Sequence, residues 1–350
     1  MASLKTHRAP AISVIVPAYN AASCLPRCLN ALLEQTFRDC EFIVADDGSH
    51  DRTPAVARQY ASRHPGRFVV LDGPHQGVAV ARNKALQAAT GDWIAFCDAD
   101  DIPEPDWLEV LYANAVRDRA DLSCCAFWDI AGKARRLRRN FPIAQSRRLP
   151  DPETIRHRLL RPLLTNGKEV HGYLFAALFR RALIEKDRIR FTPGVSMKED
   201  VLFLMDYLAG AERVTATGRP LYNYMRAADS ATARHRRVSA YEREANWFRY
   251  AAARRRIFMR RKLAEHFPEL RGEIDLKMFL HEIQAICCDP ETVSFQRMEQ
   301  LRRTACAASR LELRPDGIAG KVLLFCLFHC RWLIPPLCLA RRTLRPRAAD

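Results

Sequence analysis

The sequence predicts an α/β fold with a mostly parallel sheet and helices on both faces. Short apolar runs rich in β-branched residues alternate with helix-length amphipathic stretches between residues 11 and 97. The apolar runs are continuous, which is typical of strands buried on both faces in a helix-covered parallel sheet. With 350 residues, 48% of them apolar, the chain can bury such a core.

The first four strands and three helices alternate in βα order. We predict strands at 12–16, 41–45, 68–71 and 93–97, separated by helices at 21–35, 54–63 and 78–89. Ligands bind at the loops that leave the carboxyl ends of parallel strands. Polar loops follow the first, second and fourth strands, so the site is expected there.

The chain continues with less regular elements. We predict strands at 122–128, 173–179 and 221–225, a helix at 153–164, and helical structure from residue 238. The basic stretch 133–140 is expected to be an exposed loop that marks a change of subdomain.

Charge is unevenly distributed along the chain. Residues 1–130 carry 12 Lys and Arg against 17 Asp and Glu, whereas residues 131–350 carry 44 against 23. The basic part indicates an anionic neighbour, either nucleic acid or an acidic membrane leaflet. Because stacking aromatics and zinc, RRM or KH signatures are missing from the sequence, we expect no nucleic-acid partner.

The segment 322–340 is apolar apart from His329 and Arg331, contains Pro335-Pro336, and precedes several arginines. This pattern favours an interfacial helix on an anionic membrane. A packed C-terminal helix and a true membrane span are the alternatives. Residues 1–10 have no apolar secretory run, and the twelve cysteines show no metal-site spacing. We therefore expect reduced thiols and a cytoplasmic protein on the cytoplasmic face of the inner membrane.

An acidic run, Asp98-Ala99-Asp100-Asp101, follows the fourth strand. Carboxylates with this spacing can converge on a hard divalent cation, Mg²⁺ or Mn²⁺, whose other ligands are phosphate oxygens and water. The alternative is an acidic turn before the next helix, stabilised by the helix dipole.

A second acidic run, Asp46-Asp47-Gly48-Ser49, follows the second strand. An Asp here can accept hydrogen bonds from a nucleobase imide or from ribose hydroxyls. The alternative is a turn with Gly48 at positive φ and with Ser49 or Asp51 capping the next helix. The sequence contains no phosphate-binding P-loop and no dinucleotide-binding glycine motif after the first strand, which argues against ATP hydrolysis and nicotinamide chemistry.

Four segments carry a resemblance to a known family, in order and spacing: Ser13-Val14-Ile15-Val16-Pro17-Ala18-Tyr19-Asn20, residues 42–49, residues 77–83 and residues 91–101. Together they resemble the family 2 glycosyltransferases. Residues 178–181, 191, 198–203 and 221–224 with Ser230 are similar to the acceptor half of bacterial members that build surface polysaccharides. The resemblance covers about residues 11–232.

The resemblance implies a GT-A fold, which is Rossmann-like, and an inverting transfer from a nucleotide-diphosphate sugar. It also implies a divalent metal and a glycan or lipid-linked acceptor. Uridine diphosphate is the usual nucleotide. The catalytic domain would cover 1–232, with a nucleotide-sugar half at about 11–128 and an acceptor half at about 150–232. Residues 233–350 would form a helical, basic, membrane-associating region.

The resemblance also assigns residues to the donor site: Pro17, Tyr19, Asn20, Asp46, Asp47, Arg82, Asn83, Asp98, Ala99 and Asp100. Pro17, Tyr19 and Asp47 would hold the nucleoside, with Asp46 supporting their loop. Arg82 and Asn83 would lie near the diphosphate. Asp98 and Asp100 form the DxD pair and would bind the metal, Asp100 more directly.

Asp200 resembles the catalytic base of the family. With Glu199 it can equally be an acid at a helix N-terminus, favoured by the dipole. The sequence departs from many relatives at Phe175 and Ala177, where a Trp and a Lys are common, which puts acceptor contacts there in doubt. His171 is either a compensating residue or a loop histidine without a role. Arg226 either meets acceptor hydroxyls or a lipid-linked diphosphate, or lies on the surface.

Other classes of protein share parts of this pattern. A haloacid-dehalogenase-type phosphotransferase also has DxD after a strand, but on the first strand rather than the fourth. A sugar-nucleotide pyrophosphorylase needs a glycine-rich first loop, and Pro17-Ala18-Tyr19-Asn20 is not one. A nucleotide-sugar-binding protein without transfer activity remains an alternative.

Overall fold

The computed structural model describes residues 9–139, 141, 147–165, 170–226, 238 and 240–274. The chain divides into two compact units, 1–230 and 231–350. In the described part of the first unit, ten strands form one sheet. Eight of them follow the order β3-β2-β1-β4-β9-β6-β10-β5, while β7 pairs with β6 and β8 with β10.

The first half of the sheet is parallel, as predicted. It contains β1 (Ile12–Ala18), β2 (Cys40–Asp46), β3 (Phe68–Leu71) and β4 (Trp93–Phe96), and each neighbouring pair among them is parallel. The crossovers are α1 (Leu25–Leu33), α2 (Thr53–Arg63) and α3 (Val78–Ala88). Every residue of β1, β2 and β4 is buried, which explains why their apolar runs are continuous.

The second half of the sheet is mixed. Its strands are β5 (Ile102–Pro103), β6 (Leu122–Ala131), β7 (Ala134–Arg139), β8 (Arg147–Leu149), β9 (Ala177–Arg180) and β10 (Val214–Met225). Strand β9 lies between β4 and β6 and runs antiparallel to both. Strand β10 is parallel to β6. The prediction of a parallel sheet therefore holds for the front half of the sheet. The second half contains both parallel and antiparallel pairs.

The remaining helices of this unit are α4 (Trp107–Asp118), α5 (Pro152–Ile155), α6 (Arg161–Leu164), α7 (Arg181–Lys186) and α8 (Glu199–Gly210). A π-helical turn, Arg156–Leu160, joins α5 to α6. Helix α8 is anchored by Phe203, whose ring lies 4.5 Å from Phe191 and 5.5 Å from Phe96. Because Phe96 ends β4, this contact brings the first turn of α8 to the acidic loop.

Two local expectations were wrong. The stretch 133–140 is not a loop, because Ala134–Arg139 forms β7 and pairs antiparallel with β6 after a tight turn at Gly132. The residues of β7 are exposed, as expected. In the predicted strand 173–179, Leu174–Ala176 instead forms a 3-10 turn before β9 begins.

The described part of the second unit is helical, as predicted from residue 238. It contains α9 (Ala240–Arg260) and a short 3-10 turn, Leu263–Glu265, and residues 270–274 are helical as well. Tyr250, Phe258 and Phe267 are buried there. Among the described residues we find no helix with the length and apolarity needed to cross a membrane. The predicted interfacial segment 322–340 lies outside the described residues.

Candidate functional site

The loops after β1, β2 and β4 lie at one edge of the sheet, as their sequence positions predict. Ala18 pairs with Asp46 and Ile15 with Phe96, all in parallel register. Since the carboxyl ends of these strands coincide, their polar loops form one continuous surface.

The first two loops are joined by hydrogen bonds through Asn20, a residue at φ +50°. Its backbone N–H donates to Ser49 Oγ at 2.9 Å, and its side-chain Oδ1 accepts from the N–H of His50 at 2.9 Å. Asp46 Oδ2 accepts from the N–H of Ser49 at 3.0 Å. Asn20 and Asp46 therefore fix the shape of the loop, while Pro17, at the end of β1, is buried in the sheet.

Asp47 is almost fully buried and connects this loop to the start of α3. Its carboxylate accepts hydrogen bonds from the backbone N–H groups of Gln76 and Gly77, at 2.8 and 2.9 Å. His75 Nδ1 lies 2.8 Å from Asp47 Oδ2, and the His75 ring stacks on Tyr19 with centroids 4.1 Å apart. Tyr19 and His75 thus form a stacked pair of rings beside the Asp47 carboxylate, which backbone hydrogen bonds hold in place.

His75 was not predicted from the sequence. It follows β3, whose carboxyl end lies at the same edge as those of β1, β2 and β4. The position of His75 in the loop after the third strand could have indicated it. That loop was overlooked because it has no acidic motif like those after the second and fourth strands.

Arg82, on α3, connects the acidic loop to α8. Its Nη2 donates to Asp98 Oδ1 at 3.0 Å and its Nη1 to Glu199 Oε1 at 2.8 Å. The residue is 7% exposed, and its guanidinium lies 5.3 Å from the centroid of the Phe191 ring. Burial alone would lower the pKa of Arg82, but Asp98, Glu199 and Asp200 raise it overall. Arg82 therefore stays charged in the site.

Asn83 lies beside Arg82 but contacts a loop backbone. Its Nδ2 donates to the carbonyl of Phe191, and the Phe191 N–H donates to its Oδ1, both at 2.9 Å. This reciprocal pair holds Phe191 under Arg82. A contact between Asn83 and a diphosphate stays a prediction.

In the acidic loop after β4, three carboxylates differ in environment. The side chain of Asp98 is 32% exposed, Asp100 is partly exposed, and Ala99 between them is buried. Asp101 is fully buried and accepts hydrogen bonds from Tyr222 Oη at 2.9 Å and from the Met225 N–H at 2.7 Å. Asp101 therefore ties the loop to β10, a role the sequence analysis did not assign.

The loop concentrates negative charge. Burial, followed by the charges of Asp98 and Asp100, raises the pKa of Asp101 well above its usual range. Such crowding is the electrostatic environment that a cation relieves. Within the described ranges, no three His, Cys, Asp or Glu side chains are grouped as a metal site. A cation held by one or two carboxylates and by substrate phosphates needs no such protein cage, so Asp98 and Asp100 fit that type of site.

Asp200 lies in the first turn of α8, next to Glu199, after Lys198 at φ +64°. Its Oδ1 accepts from the N–H of Val201 at 2.7 Å. Burial, then the charge of Glu199, raises the pKa of Asp200 to about 7, against the opposing effect of Arg82. A carboxyl with a pKa near neutrality is suited to general-base chemistry. Glu199, the partner of Arg82, was weighed in the sequence only as a helix-terminal acid.

An aromatic group lies near the start of α8, because Gly172, next to Tyr173, is in close contact with Val201. Its members are Tyr173, Phe175, Tyr222 and Tyr224. Phe175 stacks between Tyr222 and Tyr224, with centroids 4.5 and 5.4 Å away, and is buried. Phe175 is therefore a packing residue. Tyr173 is next to it at 5.2 Å, and His171 lies 5.6 Å from Tyr173. Burial, then the charge of Arg138, lowers the pKa of His171.

Comparison with known protein families identifies the class of this protein as a glycosyltransferase. The chain belongs to glycosyl transferase family 2, whose model matches residues 13–188, half of the chain. It is 34% identical over 221 residues to "Putative glycosyltransferase EpsH" of Bacillus subtilis, covering 61% of this chain and 60% of EpsH. It is 28% identical over 296 residues to "Uncharacterized glycosyltransferase YibD" of Escherichia coli, covering 82% of each. The match thus spans about three fifths of EpsH.

Solved structures support the fold. TarS 1-349 of S. aureus, in complex with UDP-GlcNAc, superposes with a TM-score of 0.59 at 18% identity, covering 96% of this chain and 93% of that one. At this identity the likeness concerns the fold alone. The GT-A expectation is confirmed.

Proposed function

We propose that this glycosyltransferase moves a sugar from a nucleotide-diphosphate sugar to a hydroxyl of a glycan or lipid-linked acceptor in cell-surface polysaccharide synthesis. The reaction would invert the anomeric carbon. One observation carries the proposal. Arg82 joins Asp98 of the donor-side loop to Glu199, and the adjacent Asp200 has a pKa raised to about 7.

On the donor side, the proposal places the nucleoside at the edge where Tyr19 stacks on His75. Asp47 lies beside this pair with both oxygens accepting backbone N–H groups. Asp47 Oδ2 also faces His75 Nδ1, but Oδ1 accepts a single backbone N–H and has a second lone pair that can accept from a nucleobase imide. Uridine has such an imide, and the fold neighbour TarS has been solved with UDP-GlcNAc. UDP sugars are therefore the first donors to test.

Asp98 and Asp100 would hold a Mg²⁺ or Mn²⁺ ion together with the donor diphosphate. When bound, the ion would offset the charge that builds on the departing diphosphate. Arg82 would keep Asp98 oriented for this role and would add a positive charge near the same group.

In the proposed displacement, the acceptor oxygen forms a bond to the anomeric carbon while the bond from that carbon to the diphosphate oxygen breaks. Asp200 takes the proton of the attacking hydroxyl, and the nucleoside diphosphate leaves with the bonding electron pair. Attack and departure on opposite sides of the carbon give inversion. Asp200 is suited to this role because a base with a pKa near 7 is about half ionised at pH 7 and binds a proton more strongly than an ordinary carboxylate does.

The test screens UDP-GlcNAc, UDP-glucose and UDP-galactose, with Mg²⁺, with Mn²⁺ and after treatment with EDTA. Binding is measured as thermal stabilisation, and turnover as UDP release with and without glycan acceptors. We expect metal-dependent stabilisation and turnover with one of these donors. Asp200→Asn should abolish transfer and leave donor binding near normal.

Glu212→Gln is the matched control, because Glu212 is exposed just beyond the opposite end of α8. It should keep full activity. If Asp200→Asn transfers sugar at the wild-type rate, Asp200 is not the base. If no nucleotide sugar stabilises the protein in the presence of either Mg²⁺ or Mn²⁺, the proposed function is wrong.

Membrane association through residues 322–350 belongs to the same proposal, supported by the apolar and arginine-rich sequence there. Release of the protein from phosphatidylglycerol vesicles on truncation after Gly320 would support it. Unchanged vesicle binding would assign membrane contact to another part of the chain.

A further inference from the structure

A second charged group lies around Asp129, near the end of β6. Its Arg226 directly follows Met225, whose N–H donates to Asp101 of the acidic loop. The side chain of Asp129 is 6% exposed. Arg226 donates two hydrogen bonds to its carboxylate, at 2.6 and 2.7 Å, and Arg138 Nε approaches Oδ2 at 3.4 Å. Two cations share one anion, so the group carries a net positive charge.

Arg136 adds to this charge. It pairs with Asp129 in the antiparallel register of β6 and β7, so both side chains lie on the same face of the sheet. Among the described residues, Arg136 makes no ion pair. We refer to Arg136, Arg138 and Arg226 as the arginine cluster.

The geometry of the cluster suits an oxyanion. Arg138 and Arg226 are 44% and 51% exposed, so donors not used by Asp129 remain accessible. Both guanidinium groups approach the same oxygen, Asp129 Oδ2, which keeps them close enough for one tetrahedral anion to contact both. Guanidinium groups held in this way bind phosphate through charge-assisted hydrogen bonds.

The cluster lies on the same face of the sheet as the aromatic group next to Asp200. Phe127 is the register partner of Arg138, and Tyr224 is the register partner of Asp129. The ring of Tyr173 lies 5.0 Å from Phe127 and 6.0 Å from Tyr224. Tyr173 therefore borders the cluster.

The segment that carries Tyr173 also contacts the start of α8. A Cβ placed on Gly172 would lie 2.4 Å from Val201 Cγ2, so the two backbones are in close contact. Val201 follows Asp200 directly. Burial, then the charges of Asp200 and Asp129, raises the pKa of Tyr173, while Arg226 and Arg138 lower it.

We infer that the arginine cluster binds a phosphate group carried by the acceptor, so that the acceptor is a phosphate-bearing glycan or polyol. The inference rests on the proposed function, because it takes Asp200 as the base that meets the acceptor hydroxyl. The acceptor body would lie across Tyr173 and Tyr224, with its phosphate at Arg138 and Arg226. A buried carboxylate fixes two of these arginines, whereas lipid-binding basic segments need no fixed geometry.

The test uses the full chain saturated with UDP and Mg²⁺, so that the donor phosphate site is filled. The probe is a glycerol phosphate trimer with phosphodiester links, and binding is measured by calorimetry. The double variant Arg138→Gln/Arg226→Gln should bind it roughly tenfold or more weakly, because charge-assisted hydrogen bonds are lost. Added salt should weaken binding to the wild type more than binding to the double variant.

Arg219→Gln is the matched control, because Arg219 lies within β10, upstream of Arg226, and its exposed side chain forms an ion pair with Asp106 at the start of α4. It should bind the trimer like the wild type. Arg136→Gln covers the case in which the double variant does not fold. Arg136 makes no ion pair among the described residues, and its loss should weaken binding several-fold without changing the melting temperature.

Equal binding of the trimer by wild type and variants would overturn the inference, as would no binding by the wild type. If only phosphatidylglycerol vesicles bind, and the same variants lose them, the cluster is a membrane contact and not an acceptor site. Donor turnover without acceptor is measured in parallel. Trimer binding at the cluster without any nucleotide-sugar turnover would refute the proposed function and leave the phosphate site standing.

Discussion

Arg82 and Glu199 lie 117 residues apart and form a hydrogen-bonded ion pair at 2.8 Å. Through Asp98, the same guanidinium reaches the loop after β4. One side chain of α3 thus fixes the donor-side loop and the helix with the proposed base. The first prediction concerns this connection.

Arg82→Met should lower the free energy of unfolding by about 3 kcal/mol, because it leaves two carboxylates without their partner. The loss of stability should not be larger, because the Asp98 side chain is one third exposed and water can solvate its charge when Arg82 is removed. Arg82→Lys keeps the charge and should lose less. Urea unfolding of the three proteins checks this. Equal stabilities would mean that the pair contributes nothing to the fold.

The rate of transfer should follow the ionisation of Asp200. With a pKa of about 7, the carboxylate fraction grows about tenfold per pH unit below pH 7 and then levels off. A plot of log kcat/KM against pH should therefore rise with unit slope and bend near 7. A bend near pH 4 would show that the reacting carboxyl is not Asp200.

Asp200→Asn should stabilise the fold at alkaline pH. In the unfolded chain the carboxyl ionises near 3.8, but in the folded chain it ionises at about 7. Between these values the folded state binds more protons, so wild-type stability falls as pH rises through this window. The side-chain amide of the Asp200→Asn variant does not ionise, so the variant does not lose stability in this pH window. The gain in melting temperature of the variant over the wild type should be larger at pH 8 than at pH 5.

Asp101→Ala should destabilise the protein by about 2 kcal/mol, because Tyr222 Oη and the Met225 N–H would lose their acceptor in a buried place. Asp101→Asn should cost much less. Its amide oxygen can accept from Met225 and its amide nitrogen can donate to Tyr222. Chemical denaturation of both variants measures the difference, and equal costs would contradict this account.

Gly48→Ala should disrupt the loop after β2, which is proposed to hold the nucleoside. Gly48 has φ +71°, and a Cβ there would lie 2.4 Å from the backbone nitrogen of His75. Gly66→Ala is the control, with φ +77° and nothing within 4 Å of a Cβ. Both should suffer the strain of about 1 kcal/mol for a left-handed alanine. Only Gly48→Ala should also weaken UDP binding, as measured by thermal shift.

The sequence determined the parallel half of the sheet and the edge at which the site lies. Strands β1, β2 and β4 are buried along their whole length, so their apolar runs are continuous. The acidic motifs follow these strands directly, and parallel strands bring their carboxyl ends together. Asp47, Asp98 and Asp100 could therefore be placed at one edge from local pattern alone.

Only the tertiary structure decided which distant side chains meet there. The antiparallel insertion of β9 and the approach of α8 depend on non-local packing, such as Phe203 against Phe96 and Phe191. That packing gives Arg82 two carboxylate partners, buries Asp101 and raises the pKa of Asp200. Burial and charge in a site are sums over neighbours from several segments, and no local stretch of sequence contains them.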